Sequence, residues 1–466
     1  MDESKHFYDL IIIGGGISGS FIAEALSQDL RILILEAGIN YKLKEYPIHE
    51  VHTSAKMYWG GGIEFNTDAN IAFLRPKVVG GGSVINGALV DRFDDIAFDD
   101  WKGQTKVNFF NSKDMGPWYE KAESKFQIQY IPEEGRNGNA EIFAQGMKAK
   151  GFSYSPLRRA QKNCAYEEGN DCIECLSGCR IGSKQMMSVS TLERALQNGV
   201  ELISQFEVEN IEDHGDCVSV WGKHKKQRTF KFRSKKVVMA AGAIGNVRLL
   251  FKSGFGEKIP GIGKNFYTHP QYMNLGIFEK KIQSFKGALQ AYKSSEPRFR
   301  QWGFKLENVF APPAGLSMLI PGFGKKHMRQ MKKIAHMSCI EVAIRDTEPG
   351  KMEQDRNGNF RIIKTLNAED RKRRKLGLEI INDMFESCGA SEIIEGKLPV
   401  GLHLMGGCGL GHDANESAVN PEFKLFDHKN IYVADSSIFP SAPGINPSLT
   451  VMALSLKATD QIAKGF

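Results

Sequence analysis

Tyr8-Asp9-Leu10-Ile11-Ile12-Ile13-Gly14-Gly15-Gly16-Ile17-Ser18-Gly19 is the stretch from which the fold is read. Its first half is a short apolar run with three consecutive isoleucines, stopped by glycine, as in a parallel strand buried on both faces. Its second half fits G-x-G-x-x-G. Residues 20–27 (SFIAEALS) carry a helical pattern, and Arg31 to Leu35 is a second β-rich run ending in Glu36-Ala37-Gly38. Strand, glycine turn, helix, strand and terminal acid form a βαβ unit suited to a dinucleotide. Gly14 allows the tight turn, Gly16 lets backbone approach a pyrophosphate, and Gly19 lets the helix close on the strand. The helix N-terminus offers N–H groups and a positive dipole end to phosphates. Glu36 is expected to accept from ribose hydroxyls, which disfavours a 2′-phosphate. The unit by itself does not separate FAD from NAD.

Outside this stretch the composition is ordinary. Of 466 residues, 41% are hydrophobic and 25% charged, which excludes a disordered chain, a collagen and a disulfide scaffold. The net charge of +7 is mild for this length; it fits an anionic surface or an acidic protein partner better than nucleic acid. The N-terminal residues carry two early acids and no basic segment, unlike a secretory signal. No apolar run approaches the roughly 18–20 residues of a spanning helix. The expected place is the cytoplasm, with peripheral membrane association or co-export with a partner left open.

Three further regions decide the cofactor. Arg75-Pro76-Lys77-Val78-Val79-Gly80-Gly81-Gly82-Ser83-Val84-Ile85-Asn86-Gly87 is a second glycine-rich turn, dense enough for backbone to approach a flat or charged ligand. Residues 237–242 (VVMAAG) read as a buried strand running into a turn, with a short helix up to Gly254. The C-terminal part carries residues 401–408 (GLHLMGGC), 430–437 (NIYVADSS) and 444–450 (GINPSLT). These segments, with AAGAIGNVRLLFKSG (240–254) and IGKNFYTHP (262–270), resemble the glucose–methanol–choline family of FAD-dependent alcohol oxidoreductases. The resemblance runs from residue 8 to residue 462.

What the resemblance implies is an α/β chain, α+β overall. A Rossmann-like FAD-binding domain would be assembled from residues 1–90, 200–270 and 400–466. A substrate domain with a mostly antiparallel sheet would take 91–199 and 271–399. His403 of the H-x-x-G stretch and Asn446 align with the catalytic pair. Alcohol oxidation removes the O–H proton and moves the C–H hydride to flavin N5; a near-neutral imidazole suits the first task. A neutral amide beside it would hold the developing alkoxide. The bland alternative for His403 is a loop histidine bonded to backbone. The FAD contacts implied are Gly14, Gly16, Ile17, Ser18, Gly19, Glu36, Ala37, Gly80, Gly82, Ser83, Asn86, Gly87, Val208, Ala241, Gly242, Asp435, Ser436, Asn446 and Pro447. Among these, Gly82 and Asn86 would line the isoalloxazine and Val208 would meet the adenine through its backbone. Asp435 would lie near the ribityl and pyrophosphate, or else simply cap a strand end. The alcohol stays open among polyol, sugar, aminoglycoside, sterol and fatty alcohol.

Four of the eight cysteines, Cys164, Cys172, Cys175 and Cys179, fall within sixteen residues. One Cys-x2-Cys knuckle suits an iron–sulfur centre (three or four irons) better than the paired knuckles of structural zinc. Zinc, and free or disulfide-bonded thiols, are the alternatives. The segment also resembles the cysteine-bearing branch of the family, the FAD-dependent sugar dehydrogenase catalytic subunits and the long-chain alcohol oxidases. The first of these implies electrons passing from flavin through a three-iron cluster to a protein acceptor, a small or cytochrome subunit, or a quinone; the second carries a similar stretch without an assigned cluster. An oxidase using O₂ with structural cysteines, and a non-catalytic flavin-binding subunit, are the competing readings.

Three features of the middle stand apart. Residues 311–320 (APPAGLSMLI) are apolar, and 325–333 hold five basic residues in nine. Together they read as a membrane-touching edge or substrate lid, or, more blandly, as a surface loop and solvated helix face. Residues 337–346 and 359–363 read as strands joined by a turn at Arg356-Asn357-Gly358 in the sheet that roofs the flavin. Glu341 within them is either an auxiliary base or, as the simpler expectation, a solvent-facing strand residue.

Overall fold

The structure is a computed structural model that describes residues 7–164, 172–225 and 227–466, with backbone alone at 172–174. Along the chain the elements that build the site are β1 (Phe7–Ile13), α1 (Ile17–Leu26), β2 (Ile32–Leu35), α2 (Glu50–Met57), β3 (Glu201–Ile203), β4 (Phe206–Asp213), β5 (Val218–His224) and β6 (Arg228–Met239). They continue with α3 (Gly242–Lys252), β7 (Pro270–Ile277), β8 (Phe304–Asn308), α4 (Pro313–Leu319), α5 (Gly324–Met331), β9 (Met337–Ile344), α6 (Ala368–Ser387), β10 (Ile431–Val433) and α7 (Ser448–Ala463).

β1 is buried along its apolar half, as its isoleucines require, and pairs in parallel with β2 on one side and β6 on the other. The first sheet has the order β3-β2-β1-β6-β5-β4, with β10 also parallel on the C-terminal half of β6. The glycines behave as their positions demand. Gly14 has φ +110°, and a Cβ there would fall 2.4 Å from the Ala240 carbonyl oxygen; a Cβ on Gly19 would fall 2.0 Å from the Gly14 oxygen.

The second sheet runs in the order 64–65, 72–73, 400–401, β7, β9, β8, 292–294, 154–156, mostly antiparallel. Its period of two separates two chemistries. Tyr272, Leu306, Ile340 and Val342 point to a core with Ile381, Met384 and Phe385 of α6. Gln271, Met273, Glu307 and Glu341 point the other way, into a cavity shared with the first sheet. The two layers draw on segments in a more interleaved way than expected. Strands at 64–65, 72–73 and 400–401 join the second sheet, and the helices at 95–105 and 112–123 pack into the core of the first. The turn at 356–358 is present, but it joins residues 351–354 to 360–363 in a separate hairpin outside the roofing sheet. Among the described residues no helix is long and apolar enough to cross a membrane.

Candidate active site

A cavity of about 1020 Å³ runs between the two sheets. One end is formed by Gly14, Gly16, Ile17 and Ser18 at the N-terminus of α1, with Glu36, Ala37 and Val208. Its floor is the second glycine turn, which the Gly80 N–H ties to the Gly15 carbonyl at 2.8 Å. A Cβ on Gly81 would fall 2.8 Å from Gly16 Cα, so the two turns meet backbone to backbone. A Cβ on Gly82 or Gly242 would meet nothing within 4 Å and point into open space. The cradle and the exposed α1 N–H groups fit an FAD pyrophosphate and ring system. Of the expected contacts, Asn86, Gly87, Ala241, Asp435, Ser436, Asn446 and Pro447 also line the cavity. Gly19, Gly80 and Ser83 do not. Gly19 closes α1 on β1, and the Ser83 hydroxyl donates to the Gly80 carbonyl at 2.6 Å, so these three build the turns that carry the lining.

Glu36 and Asp435 share a design. The Glu36 carboxylate accepts from the Gly15 and Gly38 N–H groups at 2.8 and 2.6 Å. The Asp435 carboxylate accepts from the Gly242 N–H at 2.7 Å and from Asn246 Nδ2 at 3.0 Å. Burial pushes both carboxyls up, and these N–H donors oppose it. Asp435 therefore lines the cavity and holds the start of α3 at once.

At the other end His403 meets a histidine to which sequence reasoning gave no role. His269 Nδ1 lies 3.0 Å from His403 Nδ1, and the Gly444 N–H donates to His269 Nε2 at 2.9 Å. A backbone amide is always a donor, so His269 Nε2 carries no proton. The neutral His269 then has its proton on Nδ1 and gives it to His403 Nδ1. Neutral His403 is left with its proton on Nε2. Burial, helped by the Lys305 ammonium, brings the His403 pKa down to about 3; burial and the neighbouring His403 hold His269 well below its ordinary value. Both rings stay neutral. A general base at His403 would need an unprotonated Nε2, so this hydrogen-bond order favours a donor there.

Beside the histidines lies a buried charged cluster. Lys305 Nζ donates to Glu307 Oε1 at 2.7 Å and to Asn446 Oδ1 at 2.8 Å, and Asn446 Nδ2 donates to Glu307 Oε1 at 3.2 Å. Glu341, directly opposite Glu307 in the β8–β9 register, is 2% exposed and lines the cavity. The simpler expectation of a solvent-facing Glu341 is therefore wrong. Polar residues at alternate places in the apolar strands FKLEN and MSCIEVAI were the available signal. Burial, and then the Glu307 carboxylate, drive the Glu341 carboxyl well above its ordinary range. Gln271 Oε1 is buried on the same wall without a hydrogen-bond partner among the described residues.

The thiols form a different kind of structure. Cys175 packs with Leu289 and Cys164, and its Sγ accepts from the fully buried Arg159 at 3.6 Å. Cys179 packs with Tyr46, Met57 and Met186, and accepts from the Lys184 N–H at 3.4 Å. The two face separate clusters. The side chain of Cys172 lies outside the described residues. Among the described residues no group of three or more His, Cys, Asp or Glu converges as a metal site. What the segment does supply is Lys184, buried, whose Nζ donates to the carbonyls of Val84 (2.6 Å) and Asn86 (3.0 Å) and to that of Cys175. It fastens the cavity floor from below.

Residues 8–271 match the N-terminal part of the GMC oxidoreductase family, and residues 347–455 match its C-terminal part. The chain belongs to the GMC oxidoreductase family. FAD and oxidation of an alcohol-type donor go with that membership. Relatives include an uncharacterized GMC-type oxidoreductase of Mycobacterium tuberculosis, 26% identical over 97% of this chain and 75% of that protein. A long-chain-alcohol oxidase of Arabidopsis thaliana is 26% identical over 96% of this chain and 67% of its own length. In fold, this GMC chain is similar to the pyridoxine 4-oxidase from Mesorbium loti. The TM-score is 0.71 at 15% identity, over 98% of this chain and 99% of that one.

Proposed function

We propose that this protein oxidises the hydroxyl of a lipophilic alcohol, with O₂ as the acceptor and the cysteines structural. The observation that carries the reading is the His269–His403 pair set beside the Lys305–Glu307–Glu341–Asn446 cluster at the inner end of a cavity. Its outer wall is apolar: Met273, Val309, Phe310, Met318 and Leu319. The similarity to a long-chain-alcohol oxidase supports the same substrate class. FAD, when bound, supplies the hydride acceptor.

The residues divide the remaining work. His403 Nε2–H donates to the substrate oxygen, and the second N–H of Asn446 does the same from the cluster side. As the C–H bond yields its hydride, the hydroxyl proton must leave. The Glu307–Glu341 pair takes it: Glu341 holds one proton, and Glu307, bridged to Lys305, accepts the second. This gives His403 a donor's role in place of the base's role expected from sequence. The thiols' contacts with Arg159 and the Lys184 N–H support structural cysteines.

The test is anaerobic flavin bleaching by a panel of alcohols, followed by admission of air. Bleaching by long-chain or sterol alcohols and stoichiometric peroxide are expected. Bleaching by polyols or sugars alone would overturn the substrate class. Stoichiometric iron and acid-labile sulfide in anaerobically purified protein, without peroxide, would move the electrons' exit to the cysteine loop.

A further inference from the structure

The mouth of the cavity opens beside a surface that neither the fold nor the chemistry uses. Val51 of α2 and Met318 of α4 line the cavity and are 68% and 56% exposed. Glu50 binds the two together, its carboxylate accepting from the Ala314 and Gly315 N–H groups at the start of α4. Phe323, between α4 and α5, is 92% exposed, and Met328 of α5 is 50% exposed. A fully exposed phenylalanine loses the burial that aromatic side chains ordinarily gain, and here two methionines and a valine are exposed on the neighbouring helices α2, α4 and α5.

The chain that leaves α4 carries charge of one sign. Residues 321–336 contain five lysines and arginines and no acid. The inner face of α5 is pinned: Gln330 and Lys333 donate to the Glu392 carboxylate at 3.0 Å each, and His327 bonds the Ser317 carbonyl at 2.8 Å. That leaves Lys325, Lys326, Arg329 and Lys332 exposed, with Met328 among them. Positions 325, 328, 329 and 332 share one helical face by their spacing of three and four. An apolar protrusion beside a basic helix face is the pattern of a helix lying in a lipid interface, its aromatic and methionine side chains in the acyl boundary and its lysines at anionic headgroups.

We propose that the α4–α5 surface docks on an anionic lipid bilayer, placing the cavity mouth against the membrane. Charge complementarity selects this occupant: a purely apolar partner would gain nothing from the basic face, and a zwitterionic surface would use only the protrusion. The docking stands apart from the catalytic reading. The consequence, that a lipophilic alcohol enters the cavity from the bilayer, rests on it.

The test is sedimentation of the FAD-loaded protein with vesicles of phosphatidylcholine, with and without phosphatidylserine. Strong pelleting with the anionic vesicles alone, reversed by salt, is expected. Neutralising three charges together (Lys325→Gln, Lys326→Gln, Arg329→Gln) should lower partitioning about a hundred-fold, since each basic group adds roughly a five-fold preference at an anionic surface. Phe323→Ser should weaken binding at every salt concentration. Both variants should keep their FAD and their turnover of a water-soluble alcohol, so that docking is read independently of chemistry. Equal recovery from both vesicle types, or unchanged partitioning of the triple variant, would overturn the proposal. Concentration-dependent dimers that Phe323→Ser abolishes would do the same by assigning the patch to a second copy.

Discussion

His269 Nδ1 stands 3.0 Å from His403 Nδ1, and the Gly444 N–H on the far side of His269 decides which ring owns the proton between them. His403→Ala removes the donor on the substrate oxygen. A fall of about 10²–10³ in alcohol-dependent flavin reduction is expected, with FAD still bound. His269→Ala is the more discriminating change. It frees the His403 proton to sit on either ring nitrogen, so alcohol-dependent flavin reduction should fall about tenfold while burial and Lys305 keep the ring neutral. Stopped-flow bleaching reads both; an unchanged rate in His269→Ala would refute the fixed proton order.

The carboxyl pair makes a separate prediction. With Glu307 as the acceptor of the substrate proton, Glu307→Gln should lose most alcohol-dependent flavin reduction in stopped flow. Glu341→Gln keeps a neutral partner in place and should be milder, by about tenfold. Undiminished flavin reduction in Glu307→Gln would return the base's role to another group.

Stability should carry the signature of the neutral histidines. His403 is held to about 3, so below 6.5 an unfolded chain binds a proton that the folded one does not. Stability is full above about 6.5 and is lost as pH falls. The raised Glu341 acts in the opposite direction, because its folded form keeps a proton that the unfolded form loses. The comparison is therefore with His403→Asn, where the glutamate contribution cancels. Between pH 6.5 and 5 the parent should lose about 2 kcal/mol relative to the variant. Urea unfolding at the two pH values measures it.

Behind His269 lies a buried ion pair. Lys364 Nζ is 2.8 Å from Asp346 Oδ1, both side chains fully buried, and Asp346 Oδ2 accepts from the Thr268 N–H. Burial pushes the Asp346 carboxyl up to about 7 even though Lys364 pulls it down. Lys364→Met strands that carboxyl and should cost about 3–5 kcal/mol. The double change Lys364→Met, Asp346→Asn should recover much of it. Chemical denaturation of the two variants decides whether the charge or the packing is responsible.

How much of this was legible beforehand follows from the range of each interaction. The βαβ unit is local: Gly14, Gly19 and Glu36 act on neighbours a few residues away or across one strand pair, so their spacing was enough. His403 and Asn446 were found through recurring motifs. Glu307 was missed, and Glu341 was turned toward solvent in the simpler of its two readings, because a single strand sequence does not say which face meets a cavity. Only the β8–β9 register sets the two carboxyls opposite each other. His269 was quoted within its motif but had no role until folding brought it against a residue 134 positions later. The cysteine spacing invited a metal site; in the folded chain Cys175 and Cys179 turn to separate apolar clusters, and the side chain of Cys172 lies outside the described residues.

β10 has a consequence for anyone dividing the protein. Residues 7–252 contain the whole glycine signature, yet the strand that completes their sheet is Ile431–Val433, and the Ser18 hydroxyl donates to the Ala434 carbonyl at 2.8 Å. A nucleotide-binding fragment cut after α3 would leave the apolar end of β6 as a bare edge and the start of α3 without Asp435. Such a piece should self-associate through that edge rather than bind a flavin. The cofactor site is thus closed late and from far away, like a clasp whose second half is at the other end of the strap.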